Sequence, residues 1–146
     1  QVLTADSSAT NGIKWATASG GATISTQTIT PTNGQTETAT TFQDVANASI
    51  TLPTRSGGVA FISAFATVLG SVSMNVAIGI YHNGSLQEIQ QFKLPDASTE
   101  YGISVTAMQA LDGSVVKMQW KGGTGTKTMV DVSNFYSSRL QTFEVS

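Results

Sequence analysis

The chain lacks cysteine altogether, has a single histidine, and is poor in charged residues. Without cysteine it has no disulfide framework and no thiolate metal site. Charged residues make up 11% of the chain, against roughly a quarter in an average soluble protein. The net charge is -2, so no basic excess exists to neutralise phosphates and we expect no nucleic-acid partner. No apolar run approaches the roughly 18 residues of a spanning helix, and we expect no membrane insertion.

The 146 residues suffice for one domain, and the hydrophobic fraction of 40% suffices for its core. With 21 Thr and 17 Ser, hydroxyl groups take the surface role that Lys and Glu have in most proteins. The chain begins without Met and without a signal peptide. We therefore expect it to start partway through a longer polypeptide, or to be processed.

A Thr-rich, Ser-rich segment occupies residues 18–41, where Ile24 and Ile29 are the only large apolar residues. Such a segment buries too little apolar area to offset the entropy of ordering its backbone alone. It is either a flexible linker or an extended arm ordered by a neighbouring chain. The β-branched Thr residues and the absence of charge between Lys14 and Glu37 favour the arm.

After this segment, apolar and polar residues alternate, which is the pattern of strands that bury one face. The clearest run is 72–80, where every even-numbered residue is apolar. Asn-Gly at 83–84 and Asp-Gly at 112–113 are hairpin signals. The strands predicted in this way are 39–45, 48–52, 59–68, 71–81, 86–94, 100–111, 115–121, 127–132 and 139–145.

A further hairpin is expected near the N-terminus, with residues 2–5 against residues 13–17. The nine short strands and their regular turns predict an all-β fold, an antiparallel β-sandwich of the jelly-roll type. We expect two regions: a hairpin and extended arm in 1–41, and a jelly-roll head domain in 42–146.

Two stretches near the N-terminus form a motif, VLTAD at residues 2–6 and GIKWAT at residues 12–17. This motif resembles a short element of bacteriophage tail fibres and related virion appendages, which often precedes a globular head. The runs ITLP at 50–53, GVAFI at 58–62 and SRLQTFEV at 138–145 are similar to jelly-roll heads of the tumour-necrosis-factor and complement type. The resemblance implies a trimeric head that serves attachment, commonly to host surface receptors.

Catalytic and metal-binding patterns are not recognisable, and we expect no enzyme, no cofactor and no metal. His82 has no second His or Cys as a metal partner, and we interpret it as an exposed loop residue beside a hairpin turn. The acidic residues are scattered, although two carboxylates for glycoside hydrolysis need only meet in space. The Gly-rich stretch 121–128 lacks the Gly-Lys spacing of a phosphate loop and precedes a predicted strand, so we interpret it as a connection.

If successive strands alternate in direction, successive loops lie at alternate ends of the sandwich. The arm and the C-terminus fall at a base, together with 69–70, 95–99 and 122–126. Loops 53–58, 82–85, 112–114 and 133–138 fall at the distal end. Loops on a rigid scaffold often carry recognition groups, and aromatic and amide groups suit sugars. The candidate ligand-binding residues are therefore Arg55, His82, Asn83, Asp112, Asn134, Phe135 and Tyr136, unless 133–138 is an ordinary solvated loop.

The two tryptophans have different surroundings in the sequence. Trp120 is in phase with Val116 and Met118, which predicts a core position. Trp15 lies in the N-terminal hairpin among small polar residues, and we expect it to be buried at a three-fold contact. The candidate oligomer contacts are Trp15, Ile24 and Ile29.

Together these features predict a head on the surface of a phage particle, a tail fibre or spike that mediates host attachment as a homotrimer. The expected partners are other copies of the chain, other virion proteins bound through a preceding N-terminal part, and a host surface glycan. The alternative is a structural head-fibre or decoration module of the virion without a specific receptor.

Overall fold

A computed structural model describes residues 2–5, 13–16, 22–130 and 137–146, the first two stretches by their backbone alone. Within these ranges the chain forms twelve β-strands and no helix. All strand pairs are antiparallel, and the sheets form a β-sandwich. The predicted all-β sandwich is therefore confirmed, while the jelly-roll type stays a prediction. No helix in the described ranges could cross a membrane.

The strands are short at both termini and long in the centre. Their bounds are β1 (Val2–Ala5), β2 (Ile13–Ala16), β3 (Ile24–Ile29), β4 (Thr36–Glu37), β5 (Gln43–Thr51), β6 (Thr54–Gly70), β7 (Met74–His82), β8 (Ser85–Leu94), β9 (Tyr101–Asp112), β10 (Val115–Gly122), β11 (Lys127–Met129) and β12 (Arg139–Val145). β1 and β2 pair with each other, as predicted for the N-terminal hairpin. One sheet has the order β5-β10-β7-β8, and the other has β3-β12-β6-β11-β4 with β9 paired to β6.

Two tight turns follow directly from their residues. Asn83 and Gly84 both have positive φ, 47° and 84°, between the paired ends of β7 and β8. Consecutive left-handed residues match the twist of a two-residue hairpin, and Asn-Gly is the pair that adopts them most readily. Gly113, with φ of 82°, forms the tight turn after β9. This turn passes the chain from one sheet to the other, because β9 pairs with β6 whereas β10 pairs with β5 and β7. The predicted hairpin at 83–84 is therefore confirmed, and the one predicted at 112–113 is wrong.

The first two predicted strands after the Thr-rich segment are one strand with a bulge. β5 is continuous, but Asn47 has a φ of 56° and the register with β10 shifts between Lys117 and Gln119. Asn tolerates this conformation better than most residues. The interruption of the alternation between 45 and 48 thus marks an irregularity of three extra residues within β5, since Lys117 is opposite Ser49 and Gln119 is opposite Asp44, and not the end of a strand.

The core lies between the inner faces of the two sheets. Trp120, Met118 and Ile78 from one sheet pack with Ile62 and Leu140 from the other, and all five are buried. The core position predicted for Trp120 is confirmed. The described buried side-chain nitrogen and oxygen atoms all have hydrogen-bond partners, so burial leaves no polar atom there uncompensated.

From residue 22 onwards the Thr-rich segment is ordered by its own chain, which differs from the expected arm ordered by a neighbour. β3 pairs with β12 over six residue pairs, from Ile24 opposite Val145 to Ile29 opposite Leu140. β4 pairs with β11. Residues 24–41 therefore belong to the same sandwich as the rest of the chain, and the structure has no break at residue 41. Backbone hydrogen bonds to β12 and β11 hold this segment in place, although it has few apolar side chains to bury.

Two ends of the sandwich can be defined. The lower end holds residues 22–23, Arg55, 82–85, 112–114 and Ser146. Thr23 and Ser146 exchange two backbone hydrogen bonds of 2.7 and 3.1 Å there. The upper end holds 70–73, 95–100 and 122–126, where the Ser71 amide donates to the Thr126 carbonyl at 2.7 Å.

The sandwich begins and ends at the lower end, which corrects the predicted base. Both β11 and β12 run antiparallel to β6, one after the other along the same side of it. The connection 130–138 therefore joins two strands of the same direction, and the count of alternating strands fails there. β3 adds a further pass that the count did not include.

Candidate attachment surfaces

The lower end brings together four of the predicted ligand-binding residues. Thr54 and Asp112 are register partners, and His82 Nε2 lies 3.4 Å from Asp112 Oδ1. Arg55 donates to Ser146 Oγ at 3.0 Å, and Asn83 forms the neighbouring turn. These residues are adjacent, as predicted, but they surround the point where the chain passes into the sandwich. They do not form the end far from that point.

His82 is buried, which corrects its interpretation as an exposed loop residue. It is the last residue of β7 and faces inwards in phase with Ile78 and Ile80. Hydrogen bonds from the Ser114 hydroxyl and backbone amide, with a smaller effect of His82, lower the pKa of Asp112. The bond of 2.9 Å that the Ser114 amide donates to Asp112 Oδ1 therefore holds the turn after β9, and His82 contacts the same oxygen at 3.4 Å.

Three further predicted ligand-binding residues, Asn134, Phe135 and Tyr136, lie outside the described residues. The described residues on either side of them bind one residue of β6: the Val130 amide donates to the Thr67 carbonyl at 2.9 Å, and the Thr67 amide donates to Ser138 Oγ at 3.1 Å. Thr67 is three residues from Gly70, at the upper end of β6. The connection is therefore anchored towards the upper end and away from Arg55 and His82.

The upper end presents well-defined polar turns. The Asp96 carboxylate accepts hydrogen bonds from the backbone amides of Ser98 and Thr99, both at 2.8 Å. These bonds, with that from Ser98 first, lower the pKa of Asp96. A side chain that accepts from its own turn holds the loop in one conformation. The upper end is thus a set of fixed loops opposite the start of the sandwich.

A polar cleft of about 180 Å³ opens beside these loops on the outside of the four-stranded sheet. Its lining includes the amides of Asn75 and Gln91, the hydroxyl of Thr40 and the ammonium of Lys121. Lys121 is held in place because its Nζ lies 4.9 Å from the centre of the Phe42 ring. These donors and acceptors match the hydroxyl groups of a sugar. Sequence reasoning missed them because strands from distant parts of the chain bring them together.

The three candidate oligomer contacts differ in position. Ile24 points outwards from β3 and is exposed, so it is available to another chain. Ile29 packs against the core of its own chain, which corrects its assignment as a surface contact. Trp15 lies on β2, whose side chains are outside the described structure.

The outer side of the six-stranded sheet carries large apolar residues that the sequence reasoning did not select. Phe143, Phe61 and Met108 lie side by side on β12, β6 and β9 and are exposed. A signal was present in the sequence: residues 59–65 of β6 include Val59, Phe61 and Phe65, which alternate with the inward residues. A strand that is apolar on both faces is expected where both faces are covered.

No protein-family model and no curated protein matches this chain. Among the residues that the structure describes, no group of three or more His, Asp or Glu side chains could hold a metal ion. The assignment of function therefore rests on the motif, the fold and these surfaces.

Proposed function

We propose that this chain is the head of a bacteriophage virion appendage, a tail fibre or spike, which mediates attachment to the host surface as a homotrimer. The motif at residues 2–6 and 12–17 resembles an appendage element that precedes globular heads. The antiparallel sandwich that follows it is the architecture such heads have. The proposal places the protein on the surface of the phage particle, with other virion proteins bound through a preceding N-terminal part.

The observation that carries the attachment role is the position of residues 22–23, where the sandwich begins, relative to the loops. Residues 22–23 and Ser146 lie together at the lower end. A head joined to the particle through its N-terminal side would therefore present the upper end outwards. The fixed loops 95–100 and 122–126 and the polar cleft at Lys121 are then the groups that meet the host.

A host surface glycan is the partner that these groups fit best. Amides, hydroxyls and one ammonium offer directional hydrogen bonds, and the net charge of -2 offers little long-range attraction. Weak sites repeated three times on a trimer act together on a repetitive polysaccharide. Binding should therefore depend on the number of heads more than on the strength of one site.

Binding of fluorescently labelled protein to a panel of bacterial strains and to a glycan array tests this proposal. The variants Ala97→Arg and Thr124→Arg place a long charged side chain at exposed upper-end positions. Ser85→Arg is the matched control at the exposed lower-end turn. We expect the upper-end variants to lose binding at unchanged thermal stability and the control to bind normally. The opposite result would show that the lower end faces the host.

A structural head-fibre or decoration module is the second candidate. The described lower-end residues bond to one another and to Ser146, as the hydrogen bond from Arg55 to Ser146 illustrates. A structural module of this kind needs no binding site for a receptor. If the labelled protein binds no strain and no glycan, yet immunogold labelling locates it on phage particles, this second function is the correct one.

A further inference from the structure

The outer side of the six-stranded sheet carries two adjacent cross-strand rows of apolar residues. In one row Phe143 of β12, Phe61 of β6 and Met108 of β9 are register partners. In the next row Ile24, Val145 and Val59 are register partners. We call the surface formed by these six residues the apolar face. The two rows are neighbours on the same side of one sheet, so the surface is continuous.

The apolar face is large for a surface in contact with water. Ile24 and Met108 are each 61% exposed, Phe61 is 51% exposed and Phe143 is 43% exposed. Taking roughly 200 Å² for the whole surface of each such residue, these four present about 400 Å². That area matches the largest apolar patches of soluble monomers, which are often functional. It is also about half of the roughly 800 Å² that each partner buries in a standard interface, which is enough for the apolar centre of one.

The shape and charge of the apolar face favour a protein as its binding partner. A groove of about 630 Å³ runs beside Phe61, Met108 and Phe143, and the hydroxyls of Ser63 and Thr106 lie at its sides. The six residues of the apolar face are all uncharged, and Glu88 lies at the margin of the groove. An apolar centre with a polar margin is the composition of a protein–protein interface. Phe, Met, Ile and Val lack the hydrogen-bonding groups that a sugar platform needs.

The position at which the sandwich begins favours a second copy of the chain as the occupant. Ile24 belongs to the apolar face and lies next to residues 22–23, where the sandwich begins. Copies that meet through this face bring residues 22–23 of each copy close to the same axis, which suits a common stalk. An uncharged surface also meets its own copy without repulsion, whereas the chain as a whole is acidic.

We propose that the apolar face is the surface through which three copies of this chain assemble, with Phe61, Met108 and Phe143 turned towards a three-fold axis parallel to the strands. The proposal rests on the homotrimer of the proposed function and names the surface that forms it. It replaces Ile29, which packs within its own chain, as a contact residue. The groove beside Phe61 receives apolar side chains of the neighbouring copy.

Sedimentation equilibrium of the full chain at micromolar concentration tests the surface. We expect wild type to be a trimer and the double variant Phe61→Gln, Phe143→Gln to associate at least about 100-fold more weakly, because two buried aromatic contacts are lost. The matched control is Ile89→Gln, since Ile89 is 48% exposed but lies on β8 of the other sheet. The control should remain a trimer. Urea unfolding of each variant verifies that it is folded.

Cross-linking provides a second measurement that keeps both aromatic residues of the apolar face. Because the chain has no cysteine, the single substitution Met108→Cys introduces one thiol at the apolar face. A bifunctional maleimide should then give covalent dimers and a trifunctional maleimide covalent trimers, while Ile89→Cys should give neither.

The outcomes separate this proposal from the proposed function. A trimer that the Phe61 and Phe143 substitutions leave intact, with no cross-linking through Met108→Cys, overturns the surface and leaves the homotrimer standing. A monomeric wild type overturns both the surface and the homotrimer. Binding of a glycan that is lost on substitution of Phe61, in a monomer, would make the face a ligand site. Binding to host cells is measured separately and is not decided by any of these results.

Discussion

Removing the buried carboxylate of Glu144 should destabilise the protein at the edge where β3 joins the sandwich. Glu144 faces inwards from β12 and is buried. One of its oxygens accepts from Ser25 Oγ at 2.6 Å, and the other accepts from Gln27 Nε2 at 2.7 Å and Thr142 Oγ1 at 2.9 Å. Two of these donors belong to β3, so the carboxylate joins that strand to β12 beyond the main-chain ladder.

The magnitude follows from those three bonds. A hydrogen bond to a charged group contributes about 1.5–3 kcal/mol, but Ser25 and Gln27 are half-buried and can bind water when the carboxylate is absent. We therefore expect Glu144→Ala to cost about 3 kcal/mol of unfolding free energy. For a chain of this size the melting temperature should fall by roughly 6–12 °C. Glu144→Gln keeps one oxygen acceptor and the shape, and it should cost about 1–2 kcal/mol.

The cost should also depend on pH. Burial raises the pKa of Glu144, but the bonds from Ser25, Gln27 and Thr142 and the charge of Arg55 together outweigh it, so the pKa lies below its ordinary value of 4.5. A lowered pKa means that the ionised form stabilises the fold above the unfolded pKa, and that this stabilisation is lost as pH falls through the folded pKa. The difference between wild type and Glu144→Gln should therefore shrink below about pH 4.5.

Urea unfolding at about pH 7 and about pH 3 measures both effects. Glu100→Gln is the control, since Glu100 is exposed in the loop before β9, and it should change the unfolding free energy by less than about 0.5 kcal/mol. The reasoning is refuted if Glu144→Ala costs no more than this control. It is also refuted if the difference between wild type and Glu144→Gln is the same at both pH values.

Three other substitutions test the packing. Ile78→Ala and Trp120→Ala should each cost about 2–5 kcal/mol in urea unfolding, because both side chains are fully buried in the core. Lys127→Met should cost less than about 1 kcal/mol by the same measurement. Burial lowers the pKa of Lys127, which shows that its charge is costly to bury, and Met has a similar volume. The Ala39 carbonyl also keeps its bond from the Gly122 amide at 3.3 Å. Lys127→Met would contradict this account if it destabilised as much as Ile78→Ala.

The central strands were predictable because their information is local. In β7 one face is apolar in strict alternation from Met74 to Ile80, and the Asn-Gly pair after β7 determines its turn without reference to the rest of the chain. The predicted strands 86–94 and 139–145 match β8 and β12 to within one residue. Local alternation is enough wherever one face meets the core and the other meets water.

β3 and the two ends were not predictable, because they depend on pairing over long distances in sequence. Ile24 and Ile29 alone cannot identify a strand, and the partner of Ile24 is Val145, near the other terminus. In the same way, nothing local shows that β11 and β12 run in one direction along β6. The pass of β3 moves the start of the sandwich to the lower end, and with it changes which loops are assigned to the host.

The connection 130–138 gives this fold a place where sequence can change at little cost. Its two flanks bind the same residue, the Val130 amide at the Thr67 carbonyl and Ser138 Oγ at the Thr67 amide. The register of β12 is therefore fixed from outside the connection, and a longer or shorter one leaves the sheet unchanged. Doubling the length of such a loop costs only about 0.6 kcal/mol of closure entropy. The position can thus accept peptide insertions, exchange of segments between related chains, or an engineered recognition sequence.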